Sequence, residues 1–164
     1  MDFQGFKSYV DGIGMSAGNR YAVQIPFLTE QENALCCQVD LQSDGFETFR
    51  WTGQRPYVTL PYELRYEPLP MTFYCADDGA PYNKLFDWQS RITDENFLFQ
   101  DFDNYASGNN IIVMEQNRQG ATIGTYKYFN CYPLSIGAKT LSYENKSMVN
   151  KFPVLFYFEF MTHE

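Results

Sequence analysis

The sequence predicts a mainly β domain: an antiparallel β-sandwich or barrel with one flanking α-helix and one extended hairpin. Three observations carry this expectation. Apolar and polar residues alternate over most of the chain, which is the period of a half-buried strand. A three-and-four spacing of apolar residues is convincing only once, just after Gly79. Aromatic residues make up 18% of the chain, with 15 Phe and 13 Tyr, which suits pleated surfaces and exceeds what a small core needs.

A single domain over residues 1–164 is expected at this length, long enough to bury a core. Its plan shows between Met71 and Ile92. Met71, Phe73 and Cys75 alternate with Thr72 and Tyr74 as a strand does. Asp77, Asp78, Gly79 and Pro81 interrupt the pattern, with Asp78 suited to a helix N-cap and Pro81 to the first turn. Tyr82, Leu85, Trp88, Gln89 and Ile92 then form a helical stripe, expected to pack on a β core.

The other elements follow in order. Residues 1–19 form an N-terminal arm whose apolar spacing is helix-like but weakened by glycines, so it frays or orders on a neighbour. Tyr21–Leu28 alternates, with Pro26 marking an edge or the strand's end. Leu35–Leu41 alternates with Leu35, Cys37, Val39 and Leu41 inward and Cys36, Gln38 and Asp40 outward. The short turn between these strands predicts that they pair. Residues 42–66 read as an extended hairpin standing off the domain. Phe49, Arg50 and Trp51 lie on it without a core-like period. The alternative is that Phe49 and Trp51 fold back onto their own domain.

Thr93–Asn109 is a long connection carrying Phe97, Phe99, Phe102 and Tyr105 among acids; loops of this length are usually functional. Asp101 and Asp103 lack the other ligands of a calcium loop. Asn110–Gln116 and Ala121–Tyr132 predict a hairpin across the Asn117–Gly120 turn. Lys139–Tyr143 is a short strand candidate. Phe152–Met161 carries Phe152, Val154, Phe156, Phe158 and Phe160 on one face, which predicts a central closing strand with Pro153 at its start.

Composition and motifs exclude much. A formal net charge of −8 with no basic cluster argues against tight nucleic-acid binding and against anionic membranes. No secretory segment, membrane-spanning run or C-x-x-C occurs, and adjacent Cys36 and Cys37 point to opposite faces of a strand, so reduced thiols in a cytoplasmic compartment are expected. The one histidine, His163, is next to the last residue, which leaves no Ser-His or Cys-His dyad in an ordered setting. No phosphate loop, nucleophile elbow or zinc motif is present. Asn145-Lys146-Ser147 is a chance-level glycosylation triplet. No catalytic, cofactor or metal site is therefore expected, and the chain is not expected to be an enzyme.

Two stretches resemble the tail tube proteins of contractile-tailed phages. One is Lys84-Leu85-Phe86-Asp87-Trp88-Gln89-Ser90 on the helix. The other comprises Tyr132-Pro133, Ile136-Gly137, Leu141, Tyr143-Glu144-Asn145 and the closing strand. The order of elements is similar too. The resemblance implies a small β-sandwich or barrel with a flanking helix. It implies that six copies form a ring whose strands join into an inner barrel, and that rings stack into a tube inside a contractile sheath. The tubes of bacterial secretion and contractile injection systems are related.

On that resemblance the expected role is a structural virion protein and a conduit for DNA ejection, assembled in the host cytoplasm. Its partners are then itself, the sheath, baseplate and tail-terminator proteins, and genomic DNA in transit without tight binding. A baseplate tube initiator, or the tube of a non-viral injection system, is the near alternative. A monomeric β-barrel binding a small ligand is the alternative of another class. Phe49, Arg50, Trp51, Phe97, Phe99 and Phe102 are the assembly candidates. Asp40, Glu115 and Glu159, read as outward strand positions, are the candidates for the lumen.

Overall fold

A computed structural model describes residues 18, 20–41, 45–51, 53, 58–139, 141 and 149–164. The expected N-terminal arm, the Asp44 turn, the first residues of the returning hairpin strand, most of Lys139–Tyr143 and the glycosylation triplet lie outside the described residues. The strands among them are β1 (Tyr21–Gln24), β2 (Cys36–Val39), β3 (Gly45–Trp51), β4 (Val58–Arg65), β5 (Leu69–Tyr74), β6 (Ile111–Gln116), β7 (Thr122–Phe129), β8 (Tyr132–Ile136), β9 (Lys151–Tyr157) and β10 (Phe160–His163). Helices are α1 (Glu30–Asn33), α2 (Tyr82–Ser90) and α3 (Phe102–Tyr105), of which α1 and α3 are single turns.

Two four-stranded antiparallel sheets face each other, in the orders β1-β6-β7-β10 and β2-β5-β9-β8. The mainly β sandwich expected from the sequence is what forms. Alternation explains its core. Leu69, Met71 and Phe73 of β5 lie opposite Phe156, Val154 and Phe152 of β9, and all six are buried. The first sheet meets them with Val23, Ile111, Val113 and Tyr128. Removing such surface from water contributes ~25 cal/mol per Å². Desolvation here pushes the thiols of buried Cys36 and Cys131 up to about 12.

Helix α2 closes one side of the sandwich, with Leu85 and Trp88 buried as its stripe predicts. Trp88 lies against Phe156 and Phe27, at 6.0 and 5.1 Å between ring centroids, and its Nε1 donates to the Tyr105 carbonyl at 2.8 Å. Ile92 falls just past the helix end. Asp78 is not the N-cap: the helix begins after Pro81 without a side-chain cap, and the Asp78 carboxylate accepts from the Ala80 amide in a local turn. The cap that does form is at α1, where Thr29 and Glu32 make a reciprocal capping box.

Three further expectations are corrected. First, β1 and β2 do not pair; β1 joins β6 and β2 joins β5, because α1 carries the chain from one sheet to the other. Second, Cys36 is buried rather than outward, since a bulge between Cys36 and Gln38 shifts the alternation of β2 by one residue. Third, the aromatic closing stretch is two strands. Phe152 to Phe158 is buried at alternate positions, then the chain bends at Glu159 and Phe160 starts β10 in the other sheet, exposed. Asn130 makes the same kind of corner between β7 and β8. Its φ of 52° is a left-handed conformation that asparagine tolerates, and it ends what reads in sequence as one strand to Tyr132. Pro153 sits within central β9, where Gly137 faces its ring.

Candidate assembly interface

Strands β3 and β4 pair with each other and with neither four-stranded sheet. The hairpin stands off the domain as expected, rooted where Tyr66 packs on Phe158 at 5.3 Å. Every residue of β4 is exposed, and Phe46, Phe49, Trp51, Val58, Leu60, Tyr62 and Leu64 are exposed large apolar residues of the hairpin. Trp51 is 51% exposed, so Phe49 and Trp51 do not fold back onto the core.

The register gives this ribbon a pattern. Phe49 pairs with Leu60 and Trp51 with Val58, so all four share one face, whereas Arg50 and Thr59 share the other. A bulge between Glu47 and Thr48 lies below them, and under it Phe46 and Leu64 pair on the Arg50 face. Near the root, Arg65 is bound to Glu47 at 2.7 Å. A solvated two-stranded ribbon is marginal by itself. A contiguous exposed apolar face of this kind marks an interaction surface.

The loop after α2 offers a second apolar surface. Thr93 bridges to Phe99, and the Asp94 carboxylate accepts from the amides of Asn96 and Leu98. This framework holds Phe97, Leu98 and Phe99 outward; Phe97 is 86% exposed and Phe99 82%. Phe97 has a φ of 61°, a conformation costly for a residue with a side chain, of order 1–3 kcal/mol. Phe102 differs from this pair: it packs edge-on against Tyr105 and Tyr132 and is only 39% exposed. In the same cluster burial, with the neighbouring Tyr105 and Tyr157, raises the Tyr132 phenol.

The three acids named for the lumen do not form one lining. Glu115 shares its strand face with core residues Ile111 and Val113, so it is not an outward position; it lies half-buried opposite Tyr21. Glu159 is exposed but stands in the corner between β9 and β10, where Asn130 donates to its carboxylate. Asp40 is exposed at the end of β2, in the other sheet, and accepts from the Gln38 amide. Among the described residues no cluster of His, Cys, Asp or Glu is arranged to hold a metal ion, and no helix is long and apolar enough to cross a membrane.

The described residues thus form a β-sandwich with a flanking helix and a projecting apolar hairpin. The chain belongs to the phage tail tube protein family, whose model matches residues 8–163. Its fold is shared with a chain of the extended sheath-tube complex of PVC, an extracellular contractile injection system, at a TM-score of 0.68 and 12% identity over 96% of both chains. A chain of the anti-feeding prophage tube-terminating cap matches equally at 0.68 and 12%, over 92% of this chain and 91% of that one. Hcp1 from Flavobacterium johnsoniae matches at 0.51 and 12%, over 88% and 94%. No curated protein sequence is significantly similar.

Proposed function

We propose that this tail tube protein is the tube subunit of a contractile phage tail. Six copies close a ring, rings stack inside a sheath, and the tube conducts DNA during ejection. The role is structural and non-catalytic. The observation that carries this reading is the β3–β4 hairpin, whose exposed Phe49, Trp51, Val58 and Leu60 share one face and have no cover within the described chain. Phe97 and Phe99 on their braced loop add a second such surface. Sheath, baseplate and tail-terminator proteins are the further partners, and the tail of a virion assembled in the host cytoplasm is the location. Six subunits of −8 carry −48, which disfavours a tight hold on DNA in transit. Asp40 and Glu159 remain channel candidates by exposure; Glu115 does not.

Electron microscopy and analytical ultracentrifugation of the purified protein test the reading. Rings or tubes are expected at moderate concentration. A strictly monomeric species across salt and concentration overturns it and favours a small-ligand binder. The likeness in fold to chains of PVC and of the anti-feeding prophage supports a second reading, the tube of a non-viral injection system. Particles containing the subunit distinguish the two: a phage carries packaged DNA and an injection system does not.

A further inference from the structure

The root of the β3–β4 hairpin carries a charge imbalance that the described chain does not settle. Glu47 and Glu63 are directly opposite each other in the register, and like charges so placed repel. Arg65 answers only one of them, binding Glu47 at 2.7 Å; Glu63 has no side-chain partner among the described residues. An open cleft of about 480 Å³ adjoins them, between the hairpin and the corner where β9 gives way to β10. Tyr62, Tyr66 and Tyr157 line it, and Glu159, held by Asn130, adds a third carboxylate. Three carboxylates against the one guanidinium of Arg65 leave the cleft negative. Tyrosine rings beside carboxylates suit a further guanidinium, which stacks on aromatic faces and donates to carboxylate oxygens along its planar edge.

The opposite end of the domain presents such a group. Strand β7 runs from Thr122, just past the β6–β7 turn, to Phe129, whose carbonyl accepts from the Glu159 amide. The turn and the cleft therefore lie at the two ends of one strand, which spans roughly 23 Å at the usual rise per residue. Asn117 braces the turn: its side-chain oxygen accepts from the amides of Gln119 and Ala121, both at 2.9 Å. Arg118 is thus presented at the tip, exposed and without a side-chain partner among the described residues. Other cations are engaged at home, Lys84 and Lys127 in ion pairs and Arg91, Lys139 and Lys151 over aromatic rings. Arg20 stands at the same end as Arg118, where it donates to the Asn117 carbonyl.

We infer that the cleft is a guanidinium-binding site and that Arg118 of a second copy fills it, set among the tyrosines and paired with Glu63. One chain cannot make this contact, since its own Arg118 is a strand length away. A surface that binds at one end and is bound at the other is heterologous, and repeats from copy to copy in one direction. The inference rests on the tube reading for its choice of a second copy, and adds to it a site and the group that the site takes. Charge complementarity supports that choice, because the end bearing Arg20 and Arg118 is matched by an end bearing Glu47, Glu63 and Glu159.

Charge reversal tests the site on the full chain, by sedimentation velocity and electron microscopy. Arg118 and Glu63 are both exposed, so Arg118→Glu and Glu63→Arg are expected to keep native circular dichroism and melting temperature. Each variant alone is expected to need roughly tenfold more protein than wild type to assemble, because like charge is brought against like. Mixed in equal amounts, the two are expected to assemble near the wild-type concentration, since each supplies the half that the other lacks. Arg118→Glu/Glu63→Arg in one chain is expected to recover likewise. A role confined to one subunit gives no such restoration on mixing. Either variant assembling like wild type, or two defective variants that stay defective when mixed, overturns the site while leaving the tube reading intact. Wild-type protein that never leaves the monomer overturns both.

Discussion

The side-chain amide of Asn130 donates to the carboxylate of Glu159, and these residues occupy the two corners where the chain leaves one sheet for the other. Asn130 separates β7 from β8, and Glu159 separates β9 from β10. The Glu159 amide also donates to the Phe129 carbonyl at 3.0 Å. The two crossings are thus fastened side to side, so an acid that reads in sequence as a channel residue has a structural task. Glu159→Ala is expected to cost about 1 kcal/mol, the typical net contribution of one hydrogen bond, because the site is exposed. Urea denaturation checks this. A midpoint equal to wild type leaves the bond without weight in folding.

Gly137 is set by Pro153. A Cβ at residue 137 would lie 2.4 Å from Pro153 Cγ and 3.0 Å from its carbonyl oxygen, and the Gly137 amide donates to that same oxygen at 2.7 Å. A proline ring has little room to yield. Gly137→Ala is expected to destabilise the domain by ~1–3 kcal/mol, the usual range for overpacking. In a Pro153→Ala background the cost should shrink, and a double-mutant cycle reads the coupling. Equal costs in both backgrounds exclude the ring as the cause.

The two tryptophans separate assembly from folding. Trp88 is 1% exposed and its indole donates to Tyr105, so Trp88→Ala is expected to cost ~3–5 kcal/mol by thermal or chemical unfolding. Trp51 is exposed on the hairpin, so Trp51→Ala should leave the monomer's melting temperature unchanged while reducing rings or tubes in micrographs. Equal destabilisation by the two substitutions contradicts the hairpin's role.

Acid should loosen the contact between α1 and α2. The Glu32 carboxylate accepts from Lys84 Nζ at 2.8 Å, and that bond, followed by the Thr29 amide, holds its pKa below the ordinary carboxylate value. A group lowered on folding stabilises fully above its unfolded-state pKa, and that contribution is lost as pH falls through the folded-state value. The melting temperature should therefore fall over this acidic range, and Glu32→Gln should flatten that part of the profile. An unchanged profile in the variant assigns the acid loss to other carboxylates.

How much was legible depends on how local each feature is. The burial of Leu69, Met71 and Phe73 on one strand, and of Phe152, Val154 and Phe156 on another, follows from period-two alternation. Helix α2 and its Leu85–Trp88 stripe follow from the one helical period, and the aperiodic aromatics of residues 42–66 marked the hairpin. All of these are properties of short stretches, and the sequence by itself determined them. Only the tertiary structure decided which strands pair. An alternating strand satisfies any partner that extends its apolar face, so β1 and β2 look like neighbours and are not. It also decided where strands end. One left-handed residue, Asn130, or one bend, at Glu159, moves the chain between sheets without breaking the apolar alternation that the eye follows. Glu115 was misplaced for a related reason: it reads as an outward polar residue, and only the fold decides that the face it shares with Ile111 and Val113 is the core side.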